Sequence, residues 1–121
     1  MSAPVWIGVG LLGGIGALGR FFVDGIVAAR ARHDFPLGTL VVNLSGATLL
    51  GFLVGLGFTG DRLLLAGTAT LGSYTTFSTW MLETQRLVED GEVALAAANV
   101  AVSLVVGVGA AALGRLIGAH V

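Results

Sequence analysis

Residues 72–80, GSYTTFSTW, decide how this chain is read. Seven of the nine are glycine or polar, and they interrupt an apolar segment that otherwise runs over residues 63–88. In hydrocarbon every backbone and hydroxyl group needs a partner within the protein, so such an interruption is expected only where it is buried in protein or lines a water-filled or ion-binding cavity. Thr68, Thr70, Ser73, Thr75, Thr76, Ser78 and Thr79 can each return a hydroxyl to the i−4 carbonyl and stay helical. Their density and central placement favour a break instead. A span of 26 residues is about 39 Å long if wholly helical, enough to cross about 30 Å of hydrocarbon with one turn unwound near the midplane.

The rest of the chain fits that setting. Of its 121 residues 55% are hydrophobic and 11% charged, and the mean hydropathy is +0.95. This is a membrane composition. Four spans are predicted, over 5–27, 37–58, 63–88 and 93–117, so that residues 1–121 form a single transmembrane domain with short loops and no soluble domain left over. The N-terminus carries neither a basic n-region nor a small-x-small cleavage site, and the first apolar run is read as a retained span. Pro36 suits the start of the second helix, and the loop at 59–61 is short enough to force a tight antiparallel hairpin between spans two and three.

Absence of cysteine excludes disulfides, thiolate metal sites and a cysteine nucleophile. A net charge of −1 without a basic cluster argues against nucleic acid as a partner. Gly8, Gly10 and Gly13 satisfy GxGxxG, but inside a glycine-rich apolar span, without the strand and βαβ unit that a dinucleotide site requires. His33 and His120 have no ligand-spaced partners, and Asp61, Glu89, Asp90 and Glu92 read as solvated loop residues.

Small residues recur four apart at Gly10 and Gly14, Gly51 and Gly55, and Gly114 and Gly118, a spacing that lets helices approach closely. Two longer stripes, Asn43–Ala47–Gly51–Gly55 and Asn99–Ser103–Gly107–Ala111, each place an amide above a small-residue groove. Such stripes make a polar lane between packed helices. Arginines are nearly balanced across the membrane: Arg20, Arg30, Arg32 and Arg86 on one side, Arg62 and Arg115 on the other. With so little bias the chain is expected to insert both ways, and antiparallel copies then pair about a two-fold axis in the membrane plane.

Two features have two readings each. Glu83 and Arg86, three residues apart near the end of span three, are either an interfacial ion pair or part of a vestibule, with Glu83 in a gating role. Arg20 either snorkels to the headgroups or holds a positive potential at an aqueous entrance. At the break itself, unwound carbonyls make a hard oxygen site suited to Na⁺. Ser78 and Thr79 supply anion donors, and Phe77 and Trp80, three apart, share a face and present electropositive ring edges.

GGIGALGR at residues 13–20, GTLVVNLSG at 38–46 and GSYTTFSTW at 72–80 together resemble the Fluc (CrcB) fluoride channels, in order and spacing and over essentially the whole chain. The resemblance implies an all-α membrane protein of four transmembrane helices per subunit with the third helix broken. It further implies an antiparallel dual-topology dimer, a central structural Na⁺ on backbone carbonyls and two narrow fluoride pores in a prokaryotic plasma or inner membrane. By position, Asn43 matches the pore amide, Phe77 and Trp80 the paired aromatics, Ser78 and Thr79 the polar track, and Ser103 with Asn99 the polar positions of span four. Gly72 and Thr75 match the carbonyl donors of the Na⁺, and Arg20 the vestibule arginine. Two departures stand out: the second aromatic is Trp80 where Phe is common, and Asn99 stands where relatives often carry Tyr.

The implied activity is passive export of fluoride, which enters cells as HF and dissociates there; no enzyme chemistry is called for. Fluoride is small and tightly hydrated, so convergent neutral donors must replace its water while binding weakly enough to permit exit. Two other functions are compatible with this length and span count. A small dual-topology multidrug exporter should carry a carboxylate in mid-span one, where this chain has none before Asp24. A non-conducting subunit would pair with a homologue in a heterodimer.

Overall fold

The computed structural model describes residues 1–31 and 34–121; Arg32 and His33 of the first loop lie outside the described residues. The protein is all-helical, with no strand among the described residues. Helix α1 spans Ala3–Arg30, with Pro4 in its first turn where no amide donor is needed. It is followed by α2 (Leu37–Gly55), α3 (Gly60–Leu63), a π-helical segment (Leu64–Leu71), α4 (Gly72–Tyr74), α5 (Ser78–Glu89) and α6 (Val93–Ala119). Three of these, α1, α2 and α6, are long and apolar enough to cross a membrane.

Helix α2 stops at Gly55, three residues short of the expected end, because Gly57 adopts φ 89°. Its amide bonds Val54 O at 3.0 Å while the Phe58 amide bonds Leu53 O at 3.0 Å, the paired bonds of a Schellman cap. The same device ends α5: Gly91, at φ 79°, bonds Val88 O and the Glu92 amide bonds Leu87 O. Both glycines therefore act as helix stops ahead of tight turns.

The main packing interface joins α2 to α6, and small residues create it. A Cβ on Gly51 would strike the Ala111 carbonyl, one on Gly55 the Arg115 carbonyl, one on Gly114 the Thr48 carbonyl and one on Gly118 the Phe52 carbonyl. Backbone meets backbone along this seam, as the four-residue spacing implies. Gly10 and Gly14 behave differently, since both face open space. On α1 the close approach is made by Gly16 instead, which sits against the Thr70 carbonyl of the π segment. The outer side of α1 exposes Trp6, Ile7, Leu11, Ile15, Leu18, Phe21 and Phe22, an apolar surface of the kind lipid or another apolar chain covers.

Between α3 and α5 the backbone does not run as one α-helix. Thr70 donates its hydroxyl to Leu65 O at 2.7 Å, an i−5 bond that accompanies the wide π turns. Helical geometry continues through Gly72 (φ −62°, ψ −35°) and ends at Thr75 (φ −79°, ψ 162°). The non-helical residues are thus 75–77, three positions after the expected start of the break at Gly72.

Candidate functional site

Residues 75–77 are held in place by a side chain 33 positions away. Asn43 donates Nδ2–H to the Thr76 carbonyl at 2.9 Å and accepts the Thr76 amide on Oδ1 at 2.8 Å. One amide side chain thereby satisfies both backbone polar groups of a residue that has left the helix, as backbone at membrane depth requires. A single Nδ2–H of Asn43 is left over for another acceptor. Thr76 completes the next turn with its own side chain, its Oγ1 accepting the Thr79 amide at 3.2 Å at the start of α5. On the other side of the break the Thr75 amide and hydroxyl both bond Leu71 O at 3.0 Å. Tyr74 bonds Ser45 Oγ at 2.9 Å, tying α4 to α2.

A cavity of about 440 Å³ opens beside this arrangement. Asn43 and Ala47 of α2, Gly72, Thr75, Thr76, Phe77 and Trp80 of the interrupted segment, and Ser103 and Gly107 of α6 contribute to its wall. Its surface is mainly apolar, and Ser103, one of its lining residues, has a hydroxyl that is buried without a hydrogen-bond partner among the described residues. Phe77 and Trp80 meet edge to face, with ring centroids 5.6 Å apart and planes at 81°. Phe77 is 70% exposed, so the outer side of this cavity is open in the single chain.

A second cavity, of about 300 Å³, is lined by Arg20, Phe21 and Asp24 of α1, Thr39 and Val42 of α2, and Thr76 and Thr79. Arg20 Nε is buried there without a partner among the described residues. Thr76 borders both cavities and so sits between them. Glu83 does not pair with Arg86, and among the described residues no ion pair joins them; Glu83 instead accepts the Thr39 hydroxyl, across from α5 to the first turn of α2. Asp24 packs against the same turn, at Gly38.

The expected site residues thus separate into groups. Asn43, Gly72, Thr75, Phe77, Trp80 and Ser103 share the larger cavity, Arg20 and Thr79 the smaller one, and Ser78 is exposed at the start of α5. Asn99 reaches neither: it is 1% exposed, buried behind Trp80. Thr39, Asp24 and Thr76 were not singled out from sequence as lining residues. A signal existed for Thr39, which extends the Asn43–Ala47 stripe backward by one i−4 step, and for Asp24, one turn after Arg20.

These features define the class as a multi-pass, all-helical membrane protein with a donor-lined cavity beside non-helical backbone. The model of the CrcB-like protein, Camphor Resistance (CrcB), family matches residues 7–115. The chain belongs to the CrcB-like family. Over 114 residues, 94% of this chain and 93% of the relative, it is 62% identical to the "Fluoride-specific ion channel FluC 2" of Mycolicibacterium paratuberculosis. It is 57% identical over 117 residues to the protein of that name from Mycobacterium bovis, covering 97% and 93% of the two chains. A third relative so named, from the archaeon Haloarcula marismortui, is 48% identical over 106 residues, 85% and 87% of the respective chains.

Proposed function

We propose that this chain is a fluoride-selective passive ion channel that exports fluoride from the cytoplasm across a prokaryotic plasma or inner membrane, and not an enzyme. The observation that carries the reading is the backbone of Thr76, held outside helical geometry by Asn43 at the junction of two cavities. The names of the relatives supply the ion. In this reading residues 60–89 make a fourth, interrupted crossing, and the exposed side of Phe77 is covered by a second, antiparallel copy of the chain.

The donors suit a small anion that has to shed water. Asn43 has one free N–H, Ser103 an unpartnered hydroxyl, and Phe77 and Trp80 electropositive edges, with Ser78 and Thr79 at the start of α5. None is a Lys that would trap the ion. Arg20, on the second cavity, raises the local potential for anions at a vestibule, and a gating role for Glu83 is supported by its bond to Thr39, which lines that cavity.

A structural Na⁺ fits the break. The last closed turn of α4 is the bond from the Thr75 amide to Leu71 O, so the carbonyls of Gly72 and Thr75 lie beyond it, on residues that line the larger cavity. Such hard, neutral oxygens are the donor type a sodium ion takes. When bound, the ion supplies a fixed positive charge beside the anion path.

Purified protein reconstituted alone in liposomes is expected to release fluoride and retain chloride. Phe77→Ile should reduce fluoride efflux to the background leak while the elution volume of the assembly stays unchanged, because the substitution keeps bulk and removes the ring edge. Chloride release at the fluoride rate, or parent-rate efflux by Phe77→Ile, would overturn the pore assignment. For orientation, C-terminal reporters active on opposite faces are both expected to give signal, and two lysines added to either set of loops should bias the ratio. A single fixed orientation would point to a heterodimer with an oppositely inserted homologue.

A further inference from the structure

Two hydrogen bonds between α5 and α6 and one within α5 form a closed ring around Trp80. Its indole Nε1–H donates to the backbone carbonyl of Asn99 at 3.2 Å, the side-chain Nδ2–H of Asn99 donates to Thr84 Oγ1 at 2.9 Å, and the Thr84 hydroxyl donates to the backbone carbonyl of Trp80 at 2.8 Å. Each donor has one defined acceptor, so the ring has a single sense. It starts and ends on Trp80, at the tip of the side chain and at its own backbone.

We propose that Thr84 and Asn99 are positioning residues that lock the indole of Trp80 in the orientation it presents to the larger cavity. A tryptophan ring has two side-chain torsions to fix, and packing against Phe77 at 81° leaves rotation about the ring axis weakly constrained. The bond from the indole N–H removes that freedom. It also turns the one strong donor of Trp80 away from the cavity and toward α6, so that the ring edge, not the N–H, faces the anion. A free indole N–H would be a much stronger anion donor than a C–H edge and, added to the N–H of Asn43, would hold the ion longer. Asn99, 1% exposed and without a place in either cavity wall, has the burial of a bracket and not of a pore donor. Thr84 does more than back-bond within its own helix, since its hydroxyl oxygen also accepts from α6.

That the locked ring affects ion passage rests on the channel reading above; that the ring is locked does not, and the two are measured separately. The lock is read from the fluorescence of Trp80 in a Trp6→Phe background, which leaves it the sole tryptophan of the chain. Thr84→Val removes the hydroxyl at nearly constant volume and is expected to lower the emission anisotropy and shift the emission maximum. Thr84→Ser should restore both to the parent values. In liposomes Thr84→Val should reduce the ratio of fluoride to chloride efflux roughly tenfold, the scale of one hydrogen bond in a conformational equilibrium. The same change made on top of Trp80→Phe, which has no indole N–H to hold, should alter that ratio less than about twofold.

Unchanged anisotropy and emission in both Thr84→Val and Asn99→Leu, in protein that elutes as the parent does, would overturn the lock. An equal effect of Thr84→Val with and without Trp80's indole would overturn it as well, by showing that the threonine serves only helix packing. Altered fluorescence with no fluoride flux in the parent protein would leave the lock standing and remove the channel reading instead.

Discussion

Liposomes carrying Asn43→Leu are expected to lose fluoride no faster than protein-free vesicles. Leucine matches asparagine in shape and offers neither of the bonds that hold the Thr76 backbone. A buried backbone group left unpaired costs about 1–3 kcal/mol, and this variant orphans a donor and an acceptor together. The interrupted segment can escape that cost only by closing residues 75–77 into helix, which would rotate Phe77 and everything after it, or by admitting water. Either outcome dismantles the junction between the two cavities. Asn43→Asp separates the two duties of this residue. Its carboxylate can still accept the Thr76 amide, but its second oxygen faces the Thr76 carbonyl, and it adds negative charge beside the anion path. Efflux should therefore fail in both variants, while hydrogen exchange at the Thr76 amide accelerates strongly in Asn43→Leu and far less in Asn43→Asp. Efflux at the parent rate from either would contradict the role given to Asn43, and equal exchange in the two would contradict the clamp.

Much of this site could be read from the chain because polar residues in a membrane span are conspicuous. GSYTTFSTW stands out against apolar neighbours by composition alone, and VVN supplies an amide in the adjacent span. What could not be read was the register. The break begins at Thr75 and not at Gly72 because α4 carries helical geometry three residues beyond the π segment and because Thr76, not Gly72, meets Asn43. That meeting depends on how α2 lies against the interrupted segment, which no local pattern encodes. Asn99 stands apart from Ser103 for a geometric reason. Four residues of α-helix turn through about 400°, so each i+4 step drifts by about 40°. Over one step the stripe from Asn99 to Ser103 passes from beneath α5 into the cavity wall. The glycine pairs on α2 and α6 kept their spacing and meet, whereas on α1 the functional position is Gly16, outside the Gly10 and Gly14 pair. Spacing identified faces able to approach closely, and the fold chose among them.

Gly46 is buried against the break and has no room for added volume. A Cβ there would overlap Thr75 Cγ2, with Tyr74 Cδ2 next at 3.3 Å and Thr75 Cβ at 3.7 Å. Only the methyl group of Thr75 forbids the substitution, since the other two neighbours stand at or near ordinary contact distance. Gly46→Ala must therefore push Thr75 away from α2 or separate α2 from α4, an overpacking cost of about 1–3 kcal/mol. Because Thr75 opens the break, and its carbonyl is among those proposed to hold sodium, the displacement is expected to act where the channel tolerates it least. Efflux should drop at least tenfold, a change of about 1.4 kcal/mol in the population of the competent arrangement. Thr75→Ser deletes only the offending methyl and keeps the hydroxyl that bonds Leu71 O. The double variant Gly46→Ala with Thr75→Ser is thus expected to recover most of the lost efflux and thermal stability, although Thr75→Ser alone adds no activity. Failure of the serine to rescue, with the double variant still folded, would mean that Gly46 is needed for something other than room at Thr75. Rescue would place the contact between α2 and the first residue of the break among the determinants of conduction.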